Sequence, residues 1–296
     1  MSNLSSKWIK VSEPFPHVLL VELSRFWQAY GALFNSISEE TSDVRAVVLS
    51  SAFPDIFTAG LDLLEAGDLA QTTADADSVQ TTDPARVALD FPKLIKPFQE
   101  AITAPERCLF PVIAAIHGIV VGLGVDIVAA CDIRYAASNA RFTIKVHYIA
   151  LPRGYFDLLT ECESDMGTLA YLPKITGNMS LVREMAYTAQ FFPATKAEQM
   201  GLVSKVVDGG RKEVVAAALD LAKLIATKSP VAVSGTKRLI SHARDHSVAE
   251  NLEYTSIWNS AMLQTKDMME SLVATKTKRP ANFLPLNYKF GLKSKL

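Results

Sequence analysis

Three cysteines in 296 residues, Cys108, Cys131 and Cys162, are too few and too irregularly spaced for a disulfide framework or a metal cluster. They point to a reducing compartment, with each thiol packed in the interior rather than acting as a nucleophile. Excess charge is missing too. Lys+Arg 30 against Asp+Glu 31 leaves a net charge of -1, without the concentrated basic surface that nucleic-acid binding requires. No apolar run approaches the ~20 residues needed to span a bilayer, and Met1-Ser-Asn-Leu-Ser-Ser-Lys-Trp8 lacks a signal-peptide core. Membrane insertion and secretion are therefore not expected. What the chain does have is 49% hydrophobic residues, enough for a substantial buried core in one large domain or two modest ones.

Short runs rich in Val and Ile, His17 to Leu23, Arg45 to Ser50, Pro111 to His117, Asp132 to Ala136 and Val203 to Val207, predict strands. Helix-period segments lie between them, so the fold class is α/β. After about Lys212 the pattern is helical only: Val214 to Lys228, Val231 to Asp245, Val248 to Ser260 and Lys266 to Thr275, with breaks such as Ser229-Pro230. This divides the chain into a core over residues 1–211, a helical region over 212–275 and a tail over 276–296. The tail holds six Lys/Arg and no acid, as either a contact for phosphates or a solvated extension. It ends Ser294-Lys295-Leu296, the tripeptide read by the peroxisomal import receptor when its carboxylate is free. Gly67 to Pro84 is polar and poor in large apolar side chains, which suits either a lid or an ordinary surface loop.

Two stretches carry the chemistry. Phe57-Thr-Ala-Gly-Leu-Asp-Leu63 and the run from His117 through Gly122, Leu123 and Gly124 to Asp126 and beyond each read as an apolar strand that breaks at glycine and opens a helix. A helix start leaves backbone N–H groups unpaired, and its dipole favours negative charge. Two such ends side by side can hold one oxyanion. Asp126 falls in the first turn after the second glycine pair, where a carboxylate either stabilises the helix or works on the bound group.

These motifs resemble the crotonase (enoyl-CoA hydratase/isomerase) superfamily. The resemblance implies a crotonase fold, a spiral of ββα units with a C-terminal helical trimerisation region. It also implies an oxyanion hole built from the amides of Leu61 and Leu123 that grips the thioester oxygen of an acyl-CoA. Ala59, Gly60, Asp62 and Leu63 on one side, with Gly122 and Gly124 on the other, complete the implied substrate-binding set. Asp165-Met-Gly-Thr-Leu-Ala-Tyr-Leu-Pro-Lys174, Thr176 to Glu184, Gly201 to Ser204, Lys228 to Lys237 and Arg244 to Thr265 are similar to the peroxisomal dienoyl-CoA isomerase branch. In that branch Asp126 and Asp165 would exchange protons with the substrate, moving a conjugated pair of double bonds from 3,5 to 2,4 in fatty-acid β-oxidation. Asp165 also reads as a helix N-cap. The hydratase and the 3,2-enoyl-CoA isomerase are the alternative activities. The resemblance implies no metal or redox cofactor, because CoA arrives as part of the substrate, and a homotrimer or homohexamer.

The chain departs from the branch after Phe142-Thr-Ile-Lys145. The glutamate expected there is Val146, and residues 146 to 164 match nothing in the family pattern. Counting back eight from Asp165 reaches Asp157, with Glu161 and Glu163 nearby. The stretch supplies a substitute acid, marks a catalytically weakened relative, at the limit one that binds acyl-CoA without turning it over, or derives from retained foreign sequence. His147 within it and His117 read as a surface and a structural residue respectively. Leu123 replaces the usual glycine and keeps the N–H, while its side chain narrows the site.

Overall fold

All six residues of β3 (Ala46–Ser51) are buried, as expected of a strand covered on both faces. It pairs in parallel with β2 (Val18–Leu23) on one side and β5 (Val112–Ile116) on the other. The computed structural model describes residues 4–23, 27–40, 43–60, 84–144 and 167–286. Within them, β7 (Ile133–Ala137) and β10 (Lys205–Val207) extend the sheet in parallel, and β1 (Ile9–Phe15) closes its other edge antiparallel to β2.

Period-two alternation gives this sheet two different faces. Leu19, Val21, Val47, Leu49, Val112 and Ala114 join Tyr30, Leu33, Phe34 and Ile37 of α1 (Trp27–Glu40) in the main core. Those four follow i, i+3, i+4, i+7 spacing, the apolar stripe of a helix lying on a sheet. Val18, Ala46, Val48, Ile113 and Ala115 face the other way. They meet Val214, Ala218, Ala222 and Ala226 of α8 (Arg211–Ala226). Small residues at every fourth position let that helix lie close to the strands.

A second, smaller sheet has the order β4 (Ile56–Thr58), β6 (Ile119–Val121), β8 (Arg141–Thr143) and β9 (Phe192–Pro193). Three strands of the large sheet are each followed by one of the small sheet, as β3–β4, β5–β6 and β7–β8. The β5–β6 pair runs into α4 (Leu123–Ala129). α2 (Pro84–Ile102) and α3 (Ala104–Arg107) follow the first pair in sequence. α5 (Thr168–Ile175), α6 (Met179–Thr188) and α7 (Ala194–Gln199) follow the third. Repeated parallel pairing of successive units is the spiral that the family resemblance implies.

The strands expected from composition stand within a residue or two of their predicted places, while β1 and β9 were not anticipated. β1 is an edge strand with a mixed burial pattern and a proline at 14. β9 is two residues long and is a strand only through its pairing with β8.

Beyond α8 come α9 (Pro230–Asp245), α10 (Val248–Met262) and α11 (Lys266–Thr277). Ser229, Ser247 and Thr265 cap their starts by accepting backbone N–H bonds, and Glu250 completes a capping box with Ser247. Lys237 fastens α9 to the core. Its ammonium donates to Pro105 O at 2.7 Å and Phe110 O at 3.1 Å, and to Asp132 Oδ2 at 2.7 Å. Among the described residues no helix is long and apolar enough to cross a membrane.

Candidate active site

Parallel pairing of β4 with β6 brings the two glycine motifs to the same end of the small sheet. After β4 the chain turns at Gly60, whose φ of 97° is a conformation L side chains rarely adopt. Its N–H donates to Thr58 Oγ1 at 3.2 Å, and a side chain on it would lie 3.4 Å from Val121 O on β6. After β6, Gly122 caps α4 and donates its own N–H to Thr143 O at 3.0 Å, so the turn is held by β8. Leu123 and Gly124 open the helix, and the first backbone bond across this turn runs from Val125 N to Gly122 O at 2.7 Å. The amide of Leu123 therefore belongs to the helix start, where N–H groups have no intrahelical acceptor.

Gly124 is where the two motifs touch. A Cβ there would be 2.3 Å from Thr58 Cγ2 and 3.0 Å from Val120 Cγ1, so any side chain would push β4 and α4 apart. Thr58 thus braces both halves, its hydroxyl on the Gly60 turn and its methyl on Gly124. Leu123 is half-buried with its side chain against the main core.

Asp126, in the first turn of α4, is only 4% exposed. The Thr168 hydroxyl at the start of α5 donates to its Oδ1. Gly167 lies beside the same carboxylate, its side-chain direction pointing to within 3.8 Å of Oδ1. Gly167 is the N-cap of α5, which corrects the reading of Asp165 as the cap: the helix starts two residues further on. α5 is held from behind by Tyr171, whose hydroxyl donates to Glu106 Oε2, while Arg244 reaches Glu106 Oε1 at 2.8 Å. Burial, reinforced by Glu106, raises the Tyr171 phenol well above its ordinary value and keeps it a donor.

The structure therefore brings together Ala59, Gly60, Gly122, Leu123, Gly124 and Asp126. Leu61, Asp62, Leu63, Asp157, Asp165, His147 and Cys162 lie outside the described residues, as do Ser294, Lys295, Leu296 and most of the loop from Gly67. Thr58 and Thr168 were not singled out by the sequence reading. A lone threonine carries no signature, although Thr168, Tyr171 and Leu172 form an i, i+3, i+4 stripe whose burial makes the first member's hydroxyl conspicuous. His117 is structural, as expected, with Nε2 2.8 Å from Phe53 O and burial lowering the pKa of the ring. Cys108 and Cys131 are buried free thiols, and burial pushes Cys131 up to about 12. Among the described residues no cluster of His, Cys, Asp and Glu could hold a metal ion.

Residues 30–285 match the family described as Enoyl-CoA hydratase/isomerase. The chain belongs to that family. Over 279 residues it is 43% identical to the human mitochondrial Delta(3,5)-Delta(2,4)-dienoyl-CoA isomerase, covering 90% of this chain and 78% of that protein. It is 38% identical to the peroxisomal enzyme of the same name from Arabidopsis thaliana over 248 residues, 84% of this chain and 82% of that one. Family membership extends to solved folds. A crystal structure of an enoyl-CoA hydratase from Bacillus anthracis superposes with a TM-score of 0.71 at 26% identity, over 94% of this chain and 99% of that one. The crotonase fold follows, and both of these relatives in sequence are dienoyl-CoA isomerases.

Proposed function

We propose that this protein isomerises 3,5-dienoyl-CoA thioesters to their 2,4 isomers. The observation that carries the reading is the identity of 38–43% with dienoyl-CoA isomerases over most of the chain, joined to a buried carboxylate beside the paired glycine motifs. The thioester oxygen would sit between the amides of Leu61 and Leu123, aimed where negative charge develops. One such donor is worth about 10²–10³ in rate. A carboxylate takes a proton from carbon 2, the electron pair spreads through the diene to the thioester oxygen, and a proton returned at carbon 6 leaves the double bonds at 2 and 4. Asp126 and Asp165 are the carboxylates of this exchange. Asp157 is the residue we assign in place of the missing glutamate. The chemistry needs no redox cofactor, since no net electrons leave the substrate.

The test is turnover of a 3,5-dienoyl-CoA, followed by absorbance of the conjugated product, for the intact protein beside Asp126→Asn, Asp165→Asn and Asp157→Asn. Loss by about 10²–10⁴ in the first two supports the reading, and loss in the third assigns Asp157. Binding without turnover in the intact protein would instead make it an acyl-CoA-binding relative, a reading that the absent glutamate after Lys145 favours. Loss of the enoyl absorbance by water addition would make it a hydratase.

Two further proposals concern its setting. The chain assembles as a trimer or paired trimers through its C-terminal helices, because α10 buries none of its residues and leaves Val248, Leu252 and Ile257 exposed. Sedimentation of the full chain tests this. Ser294-Lys295-Leu296 directs it to peroxisomes, in keeping with the Arabidopsis relative and unlike the human one, which is named mitochondrial. A fluorescent fusion that keeps this C-terminus free, compared with one that extends it, decides between the two.

A further inference from the structure

A valine would fill the site of Thr168 as well as threonine does, and that makes its hydroxyl the feature to explain. The residue is 2% exposed, on the buried stripe of α5 next to Leu172, which is fully enclosed. A hydroxyl taken out of water without a partner is unfavourable, so a buried one is kept where it makes a bond. Threonine in a first helical turn can bond locally to its own backbone. Here the hydroxyl instead reaches across 42 residues of sequence to Asp126 Oδ1. The threonine hydroxyl is the donor and the carboxylate oxygen the acceptor.

The helix that carries Thr168 is itself fixed from its far side. One turn on, Tyr171 is bound to Glu106, which Arg244 of α9 also grips. Thr168 therefore reaches Asp126 from a clamped support rather than from a free loop. We propose that Thr168 is a positioning residue of the proton-transfer site, its hydroxyl holding Asp126 in the orientation that faces the bound thioester. The proposal rests on the reading of Asp126 as a proton-transfer group. Thr168 does not itself touch the reacting atoms. Its effect belongs to the alignment of Asp126, and misalignment by about 1 Å can lower a rate about 10²-fold.

The experiment measures kcat and KM of the full chain on a 3,5-dienoyl-CoA for the natural sequence, Thr168→Val, Thr168→Ser, Asp126→Asn and the Asp126→Asn/Thr168→Val double variant. Thr168→Val is expected to lower kcat about ten- to a hundredfold, the range of a hydrogen bond to a charged group, with KM within about threefold. Thr168→Ser should stay within about threefold of the natural chain, because it restores the hydroxyl and loses only a methyl. In the Asp126→Asn background the valine should cause no further loss, since the group it acts through is gone. A Thr168→Val protein with natural kcat overturns the proposal. So does one that slows the Asp126→Asn enzyme by the same factor as the natural one. Natural kcat in Asp126→Asn overturns the reading beneath it, whatever Thr168 shows. Should the valine variant not fold, Thr168→Ala carries the same expectation, and the serine rescue still separates hydroxyl from bulk.

Discussion

α8 and α10 are helices of 16 and 15 residues, and they differ in what they bury. α8 lays Val214, Ala218, Ala222 and Ala226 flat on the large sheet, at 0–6% exposure. α10 buries nothing, and its Val248, Leu252 and Ile257 stand 64–79% exposed. Both contain enough apolar side chains for a core-facing stripe. The first meets strands of its own chain. The second packs on the neighbouring α9, through rings such as His242 stacked on Tyr254 at 4.1 Å. A helix completed within the chain and one that leaves its apolar residues outward call for opposite responses to substitution.

The largest response belongs at the seam between the two regions. Lys237 is the ammonium that ties α9 to Asp132 and two core carbonyls. Lys237→Met leaves the Asp132 carboxylate, whose pKa burial already raises against the pull of Lys237, without its cation. We expect a loss of about 3–5 kcal/mol in unfolding free energy, read by denaturant titration. A loss below about 1 kcal/mol would mean that the helical region is held on by other contacts. Next is Ala222→Leu on α8, which forces extra methylenes between helix and sheet and should lower stability by about 1–3 kcal/mol.

A smaller effect comes from pH. Burial lowers the His117 pKa, so the folded ring takes its proton at more acid pH than the unfolded one, ordinarily about 6.5. The stability this ring contributes is complete above that ordinary value and drains away as pH falls below it. The slope is at most about 1.4 kcal/mol per pH unit. His117→Gln, which keeps a donor for Phe53 O, should flatten that part of the stability–pH curve. The smallest effect is that of Leu252→Ser on α10, within about 0.5 kcal/mol for an isolated subunit. The same substitution should weaken self-association measurably by sedimentation. If it destabilises the subunit instead, α10 is part of the core after all.

Sequence reading placed these helices well because local chemistry marks their starts: Gly209-Gly210 before α8, Ser229-Pro230 at α9, and the Ser247 and Thr265 caps of α10 and α11. It placed the parallel strands because Val- and Ile-rich runs such as Val47 to Leu49 must be buried on both faces. It could not see β9, which exists only through Phe142 and Arg141 across from it. In the site, the glycine motifs were legible since their backbone demands are local. Gly124 was recognisable as part of a motif, but its contact with Thr58 depends on two strands about sixty residues apart meeting in parallel. Thr168 was illegible for the same reason, its partner being set by how α5 meets α4. What covers α10 was hidden as well, because its apolar residues are spread around the helix and mark no single face to be buried.

Arg45 offers a last consequence. Its guanidinium, at the entrance to β3, donates to the carbonyls of Ala226 at 3.0 Å and Phe283 at 2.9 Å, partners 181 and 238 residues further along. During synthesis, a chain that has emerged only as far as Val207 has every strand found among the described residues but not the helix that covers Val18, Ala46, Val48 and Ile113. One face of its sheet would be bare and its Arg45 unfastened until most of the remaining 89 residues follow. Such late closure across distant sequence slows folding and lengthens the time during which apolar surface is displayed. We expect ribosome-held chains stopped at residue 207 to be cut readily by protease within β2 and β3, and chains carried past Phe283 to resist. Equal resistance at both lengths would show that the sheet closes without its covering helix.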